Sequence, residues 1–82
     1  MSFDKEVIFL GHKMMKLKDG AELCSVSFYV DGEALTVNFV ATNAILMATV
    51  VGLSFGASCI ATFTLRSVDR LYRLSLTGLV NV

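Results

Sequence analysis

The chain has 82 residues, the size of one small domain, so residues 1–82 are expected to form a single folding unit. Hydrophobic residues make up 55% of the sequence, and this content excludes an intrinsically disordered chain. Seven basic and seven acidic side chains cancel, so no strongly charged tail points to a partner.

The first half of the chain predicts three antiparallel strands. Asp19-Gly20 and Asp31-Gly32 each separate runs of alternating apolar and polar residues, which is the strongest short-range signal of a β-hairpin. The strands are expected at about 7–18, with a bend or bulge at Gly11, at 22–30 and at 34–40. Their apolar faces are formed by Cys24, Val26, Phe28, Val30, Leu35, Val37 and Phe39.

A short helix and two further strands are predicted in the second half. Thr42 or Asn43 can cap a helix over 44–51, and Gly52 is placed to end it as the C′ residue. Strands at about 58–65 and 71–80 follow, separated by a polar turn at 67–70. Alternation places these side chains on the two core faces: Cys59, Ala61, Phe63, Leu65, Tyr72, Leu74 and Leu76.

The order of the predicted elements is strand, strand, strand, helix, strand, strand. This order predicts an all-β fold, a five-stranded Greek-key barrel of the OB-fold type with its one short helix plugging the barrel. Another small β-barrel or an open α+β meander are the alternatives. In OB-folds, the loop between strands one and two and the loop between strands four and five border the ligand face.

A membrane span is the main alternative interpretation of the uncharged segment from Ala34 to Leu65. The mean hydropathy is +0.70, and residues 44–62 are apolar enough to cross a bilayer by hydropathy alone. However, Gly52 and Gly56 interrupt this run, its later part alternates like a strand, and basic residues are balanced on both flanks. A membrane span is therefore not favoured, and a cytoplasmic location is expected on the separate ground that the two cysteines are predicted to be reduced.

The cysteine and histidine content argues against a metal site. Two cysteines and one histidine are too few for a disulfide framework or a structural zinc site, so no metal and no cofactor are expected. Cys24 and Cys59 are predicted to be reduced and to pack as small hydrophobes. No acid–base or nucleophile–base pair is visible, so an enzyme is not expected.

The basic side chains are concentrated in two predicted hairpins. Six of the seven lie there: Lys13, Lys16 and Lys18 in the first, Arg66, Arg70 and Arg73 in the last. The sheet face between the hairpins is predicted to carry Ser25, Ser27, Tyr29, Thr36 and Asn38.

Two interpretations of this arrangement remain open. The hairpins and the face between them form a groove suited to the backbone of a single-stranded nucleic acid, with Tyr29 stacking on a base. Alternatively, the cations lie on ordinary solvated hairpin tips, since Asp19, Glu22 and Asp69 lie in the same hairpins. The sequence pI of about 6.5 is also below that typical of a nucleic-acid-binding domain.

Several apolar residues fall off the predicted core faces: Leu23, Val40, Ile60, Leu79 and Val80. They favour a homodimer, because a two-fold interface buries the same patch twice. An ordinary protein surface, which is already half apolar, is the alternative.

Several local patterns resemble small single-stranded-DNA-binding proteins of the filamentous-phage type and related mobile-element proteins. They are Phe9-Leu10-Gly11-His12-Lys13, Lys16-Leu17-Lys18-Asp19-Gly20, Gly52-Leu53-Ser54-Phe55-Gly56-Ala57-Ser58 and Tyr72-Arg73-Leu74-Ser75-Leu76-Thr77-Gly78-Leu79-Val80. The resemblance covers about residues 7–80. It implies an OB-fold chain that dimerises and binds single-stranded DNA, through Lys13, Lys16, Lys18 and the segment from Arg66 to Arg73, with Tyr29 stacking on a base.

From all of these features, the expected function is sequence-nonspecific binding of single-stranded DNA by a homodimer. The rival hypothesis is a protein–protein interaction or assembly module, in which the apolar excess forms the partner surface and the charges are incidental.

Overall fold

The computed structural model describes every residue from Met1 to Val82. Numbered in chain order, its strands are β1 (Ser2–Lys16), β2 (Glu22–Val30), β3 (Glu33–Val40), β4 (Ser58–Val68) and β5 (Leu71–Asn81), and its helix is α1 (Ala44–Val51). The strands close into a barrel in the order β1-β2-β3-β5-β4, and only β3 and β5 run parallel. The predicted five-stranded, OB-fold-like barrel with one short helix is confirmed.

β1 is long because it pairs with two strands in succession. Its first half pairs with β4 and its second half with β2, and the register with β2 shifts between Phe9 and Gly11. Leu10 is the extra residue of this bulge, and bulges bend the strand that carries them. The bulge predicted at Gly11 is confirmed, whereas β1 begins at Ser2 rather than at about residue 7.

The barrel interior is filled by fourteen buried side chains, all of them apolar. The ring of Phe28 lies edge-on to those of Phe9 and Phe63, with centroid distances of 6.4 and 6.1 Å. Leu46 and Val50 of α1 join the same cluster, so the helix packs against the barrel core as predicted. Cys24 and Cys59 are buried and unpaired, and this burial raises the pKa of both thiols.

The two ends of α1 differ in how well the sequence predicted them. The side chain of Asn43 caps the helix by accepting a hydrogen bond from the backbone N–H of Leu46 at 3.2 Å. Gly52 ends the helix as predicted, but its φ is −81°, so its backbone is right-handed and not in the left-handed conformation that is common for glycine at this place. The positive φ falls on Gly56, at 87°, in the loop before β4.

Two predictions for β5 are wrong. Tyr72 was expected in the core, but it is 74% exposed; it pairs with Ser67 on the stretch of the β4–β5 hairpin that carries no buried residue. Leu79 was expected outside the core, but it is buried. The register shift between Thr62 and Phe63 leaves Thr77 unpaired and places Leu79 opposite the buried Ala61.

The segment considered as a membrane span is divided between two kinds of structure. Residues 44–51 form α1, and the run from residue 58 to 62 belongs to β4. No helix of the protein has the length and apolar character needed to cross a bilayer.

Candidate nucleic-acid interface

A row of polar side chains crosses the outer face of the barrel from β1 to β5. Lys13 lies opposite Ser25 in the β1–β2 pair, and Ser25 lies opposite Asn38 in the β2–β3 pair. Asn38 in turn pairs with Ser75 in the single bridge between β3 and β5. Directly paired residues share a face, and side chains alternate between faces. Because Ser25 neighbours the buried Cys24, this polar row faces outward.

A second polar pair lies beside this row, on the same face. The hydroxyl groups of Ser27 and Thr36 are 3.2 Å apart and form a cross-strand hydrogen bond. The face that the sequence predicted between the two hairpins is therefore present, with hydroxyl and amide groups on neighbouring strands.

Two arginines face each other where this row reaches the β4–β5 hairpin. Arg66 lies opposite Arg73, and Arg73 is two residues from Ser75, so alternation places it on the same outer face. Like charges directly opposite destabilise an antiparallel pair, and no carboxylate oxygen lies within 4 Å of either guanidinium. The fold therefore holds two uncompensated positive charges at one place.

The arginine pair lines a cleft of about 410 Å³ between β3 and β5. The two strands are joined by one bridge only, between Asn38 and Ser75, and the cleft opens beside it. Asn43 also lines this cleft. Asn38, Arg66 and Arg73 belong to the predicted groove. Three further residues that line the cleft were not connected with that groove from the sequence: Asn43, Leu23 and Val40.

The three lysines of the first hairpin occupy different positions. Lys13 belongs to the polar row, whereas Lys16 lies opposite Glu22 at the end of β1. Glu22 is two residues from the buried Cys24, so alternation places Lys16 on the other side of the hairpin. Lys18 lies in the turn after β1. Only Lys13 of the three lies in the same cross-strand row as Ser75.

Arg70 lies at the tip of the β4–β5 hairpin in a left-handed backbone conformation. The two-residue turns Asp31-Gly32 and Asp69-Arg70 both have positive φ at each position, 51° and 82° in the first and 49° and 66° in the second. This is the type I′ pattern, in which glycine is favoured. A left-handed conformation costs a non-glycine residue about 1 kcal/mol or more. The chain therefore holds a cation where glycine fits better.

Tyr29 shares the outer face but lies far from the arginines. It is four residues along β2 from Ser25, about 13 Å at 3.3 Å per residue. It lines a second pocket of about 510 Å³ together with Glu6 and Asp31, and the carboxylate of Asp31 accepts a hydrogen bond from Lys5 at 2.8 Å. The structure therefore does not bring this predicted stacking residue to the cleft.

The aromatic side chain next in sequence to Arg73 is Tyr72, which is exposed on the β4–β5 hairpin. The sequence placed Tyr72 on the core face, because alternation does not show that this end of the hairpin carries no buried residue. Tyr72 follows the opposite alternation from Arg73, so it lies on the other face of the hairpin.

The neutral net charge conceals a separation of charge between elements. The β4–β5 hairpin carries three arginines and one carboxylate, Asp69, and the β1–β2 hairpin carries three lysines and two carboxylates, Asp19 and Glu22. The four other carboxylates lie on the first half of β1 and on the β2–β3 hairpin. The side of the barrel that carries the arginine pair is therefore locally positive.

The chemistry of this site suits an anion. Guanidinium groups bind phosphate oxygens through paired hydrogen bonds, and hydroxyl and amide groups supply further donors. No group of three or more His, Cys, Asp or Glu side chains is placed to hold a metal ion. No protein-family model matches this chain, and no curated protein matches its sequence.

Proposed function

We propose that this protein binds single-stranded DNA without sequence preference, across the outer face of β2, β3 and β5. The observation that carries the proposal is the cross-strand pair of Arg66 and Arg73, which no carboxylate neutralises. Lys13 lies at the other end of the polar row, so a strand crossing the sheet meets positive charge on both sides.

The binding mechanism is electrostatic capture of the phosphate backbone. Each phosphate that a lysine or arginine neutralises releases condensed counterions, which makes affinity depend on salt rather than on base sequence. The hydroxyl and amide groups of the polar row then hydrogen-bond to backbone or base edges. Tyr29 supplies exposed aromatic surface at one margin of this face, and stacking on such a ring tolerates every base. No step of this mechanism requires a catalytic group or a cofactor.

The resemblance of the turns and strands to small phage-type single-stranded-DNA-binding proteins supports the same proposal. The resemblance also implies a homodimer, and a dimer interface would cover part of the exposed apolar surface. Leu71 is 64% exposed and lies beside the Asp69-Arg70 turn, and Val80 is also exposed. We place the protein in the cytoplasm, where Cys24 and Cys59 remain reduced.

The proposal is tested by fluorescence anisotropy of a labelled single-stranded oligonucleotide of mixed sequence, titrated at low and at moderate salt. We expect saturable binding whose affinity falls steeply with salt, with a logarithmic slope of about −2 if three phosphates are neutralised. A duplex of the same sequence serves as the control and binds more weakly. Absence of binding at low salt would contradict the proposal.

A second candidate function is an assembly module, and the outer side of α1 favours it. Ile45 is 81% exposed on the helix, and Phe55 is 79% exposed in the loop that follows, within a segment that has no charge. Light scattering on the anisotropy sample distinguishes the two functions. A defined oligomer that does not retain DNA at low salt supports the assembly module.

A further inference from the structure

We propose that the cleft between β3 and β5 is a subsite for one nucleotide, with its phosphate on the arginine pair and its base against the apolar wall. This inference rests on the proposed function and deepens it, because it assigns a fixed position to one nucleotide on a surface that otherwise binds any strand.

The two sides of the cleft differ in chemistry. On β4 and β5, the outward polar side chains are those of Arg66, Arg73 and Ser75. On β2 and β3, Leu23 and Val40 supply outward apolar surface next to Asn38. The volume of about 410 Å³ lies within the range of small-ligand sites. A ligand that fills the cleft therefore needs an anionic end and a flat or apolar end, and a nucleotide has both.

Asn43 supplies one of the hydrogen-bond donors in the cleft, beside the polar side chains of Asn38, Ser75 and Thr77. Its Oδ1 accepts the hydrogen bond from the N–H of Leu46 that caps α1, and its side chain makes no other hydrogen bond within the protein. The cap fixes the orientation of the amide, so Nδ2 is left as a donor. Guanidinium groups are also donors only, and no carboxylate lines the cleft.

This set of donors selects phosphate. Two guanidinium groups match the charge and the oxygen geometry of a phosphate, and the amide of Asn43 adds a neutral donor. The half-exposed side chain of Val40, together with Leu23, offers the attached base an apolar surface. Inorganic phosphate would occupy only the arginine end of such a site, and a nucleoside would occupy only the apolar end.

The test is an NMR titration of ¹⁵N-labelled protein with a deoxynucleoside monophosphate, and separately with the matching nucleoside and with inorganic phosphate. We expect saturable shifts of the Nδ2 resonance of Asn43 and of the Nε resonances of Arg66 and Arg73. We also expect the nucleotide to bind at least about tenfold more tightly than either half. Equal binding of nucleotide and inorganic phosphate, or shifts confined to the lysine hairpin, would overturn the subsite.

Asn43→Asp provides the decisive variant, because aspartate caps a helix as well as asparagine does. The cap and the fold are retained, but the donor is replaced by a carboxylate inside the cleft. We expect nucleotide affinity to fall about tenfold, since a hydrogen bond to a charged group is lost. Asn81→Asp is the matched control, because it makes the same charge change opposite Cys59 at the end of β5. Equal affinity in the two variants would rule out the subsite.

Different experimental results would contradict the subsite and the proposed strand binding. If the protein binds the nucleotide in the cleft but retains no oligonucleotide, the subsite stands and the proposal of strand binding is wrong. If it binds oligonucleotides while Asn43→Asp changes neither nucleotide nor strand affinity, strand binding stands and the subsite is wrong.

Discussion

Arg66 and Arg73 lie directly opposite each other across the β4–β5 pair, on the same outer face as Ser75. A cross-strand pair of opposite charges would stabilise this hairpin, and a pair of like charges destabilises it. The barrel would therefore be more stable with another residue at either position. A bound phosphate would offset this repulsion, so the pair links the stability of the hairpin to the presence of an anion.

The first prediction concerns Arg73→Glu, which converts the like-charged pair into an opposite-charged pair. We expect the free energy of unfolding to rise by about 0.2–1 kcal/mol, while affinity for single-stranded DNA falls because one cation is replaced by an anion. Thermal unfolding followed by circular dichroism measures the first effect, and anisotropy measures the second. Arg73→Lys is the control, since it keeps the charge but loses the paired hydrogen bonds. A variant that loses stability and keeps its affinity would contradict the ligand role.

The second prediction separates the three lysines of the first hairpin. Replacing Lys13, Lys16 and Lys18 together by alanine is expected to weaken binding and to flatten the salt slope by about 0.7 for each phosphate contact that is lost. Because only Lys13 belongs to the polar row, we expect Lys13→Ala alone to produce the largest part of the loss. Anisotropy titrations at several salt concentrations measure both quantities.

Lys5 offers the matched control for these lysines. Its Nζ lies 2.8 Å from Asp31, so Lys5→Ala removes the same charge at a place remote from the polar row. Its salt slope should equal that of the unsubstituted protein. An unchanged affinity in the triple variant, or an equal loss with Lys5→Ala, would remove the first hairpin from the site.

The third prediction concerns Arg70→Gly at the hairpin tip. The left-handed backbone of Arg70, with φ of 66°, suits glycine, so we expect the free energy of unfolding to rise by up to about 1 kcal/mol. The greater freedom of glycine in the unfolded chain offsets part of this gain. DNA affinity should fall, because Arg70 is one of the predicted phosphate contacts. Chemical denaturation and anisotropy on the same samples measure the two effects.

The matching turn of the β2–β3 hairpin provides the reverse experiment. Gly32 has φ of 82°, so Gly32→Arg places a cation in the same turn geometry but beside Asp31 and Glu33. It should destabilise the barrel and leave DNA affinity nearly unchanged. If Gly32→Arg raises DNA affinity as much as Arg70→Gly lowers it, the effect comes from the net charge of the protein and not from a site at the β4–β5 hairpin.

Local sequence signals predicted most of the fold because the turns and the alternation are local properties. Asp31-Gly32 indicates its own turn, and the alternation from Cys24 to Val30 indicates which face of β2 is buried. The bulge at Thr77 was missed because strict alternation assumes that every residue of β5 pairs with one residue of β4. An unpaired Thr77 shifts every later residue of β5 to the other face, which is why Leu79 was misplaced.

The site was only partly predictable, for a different physical reason. The segregation of lysines and arginines into two hairpins is visible in the sequence, and so is the polar face of β2 and β3. Asn43, Arg66 and Arg73 line one cleft, and the cleft exists because the bridge between Asn38 and Ser75 joins parallel strands that are far apart in the chain. No local pattern encodes that contact.

The fourth prediction concerns pH and the two buried thiols. Burial raises the pKa of Cys24 and Cys59 in the folded state, whereas an unfolded thiol has a pKa of about 8.5. Below that pH both states carry the proton, and the contribution of the thiols to stability is fully present. Above it the unfolded chain releases its protons first, so the free energy of unfolding decreases with pH until the folded thiols ionise.

Denaturant unfolding between pH 7 and pH 10 measures this effect against a Cys24→Ala/Cys59→Ala variant. The variant loses stability at every pH because it leaves cavities in the core, but the thiol contribution to the alkaline decline disappears. Tyrosines and lysines titrate in both proteins, so the difference between the two slopes isolates the thiols. A thiol-reactive reagent at pH 8 should modify the native protein slowly and the unfolded chain quickly, because the thiolate is the reactive form. Identical pH slopes and fast labelling of the native protein would show that the thiols ionise normally and that the barrel admits solvent.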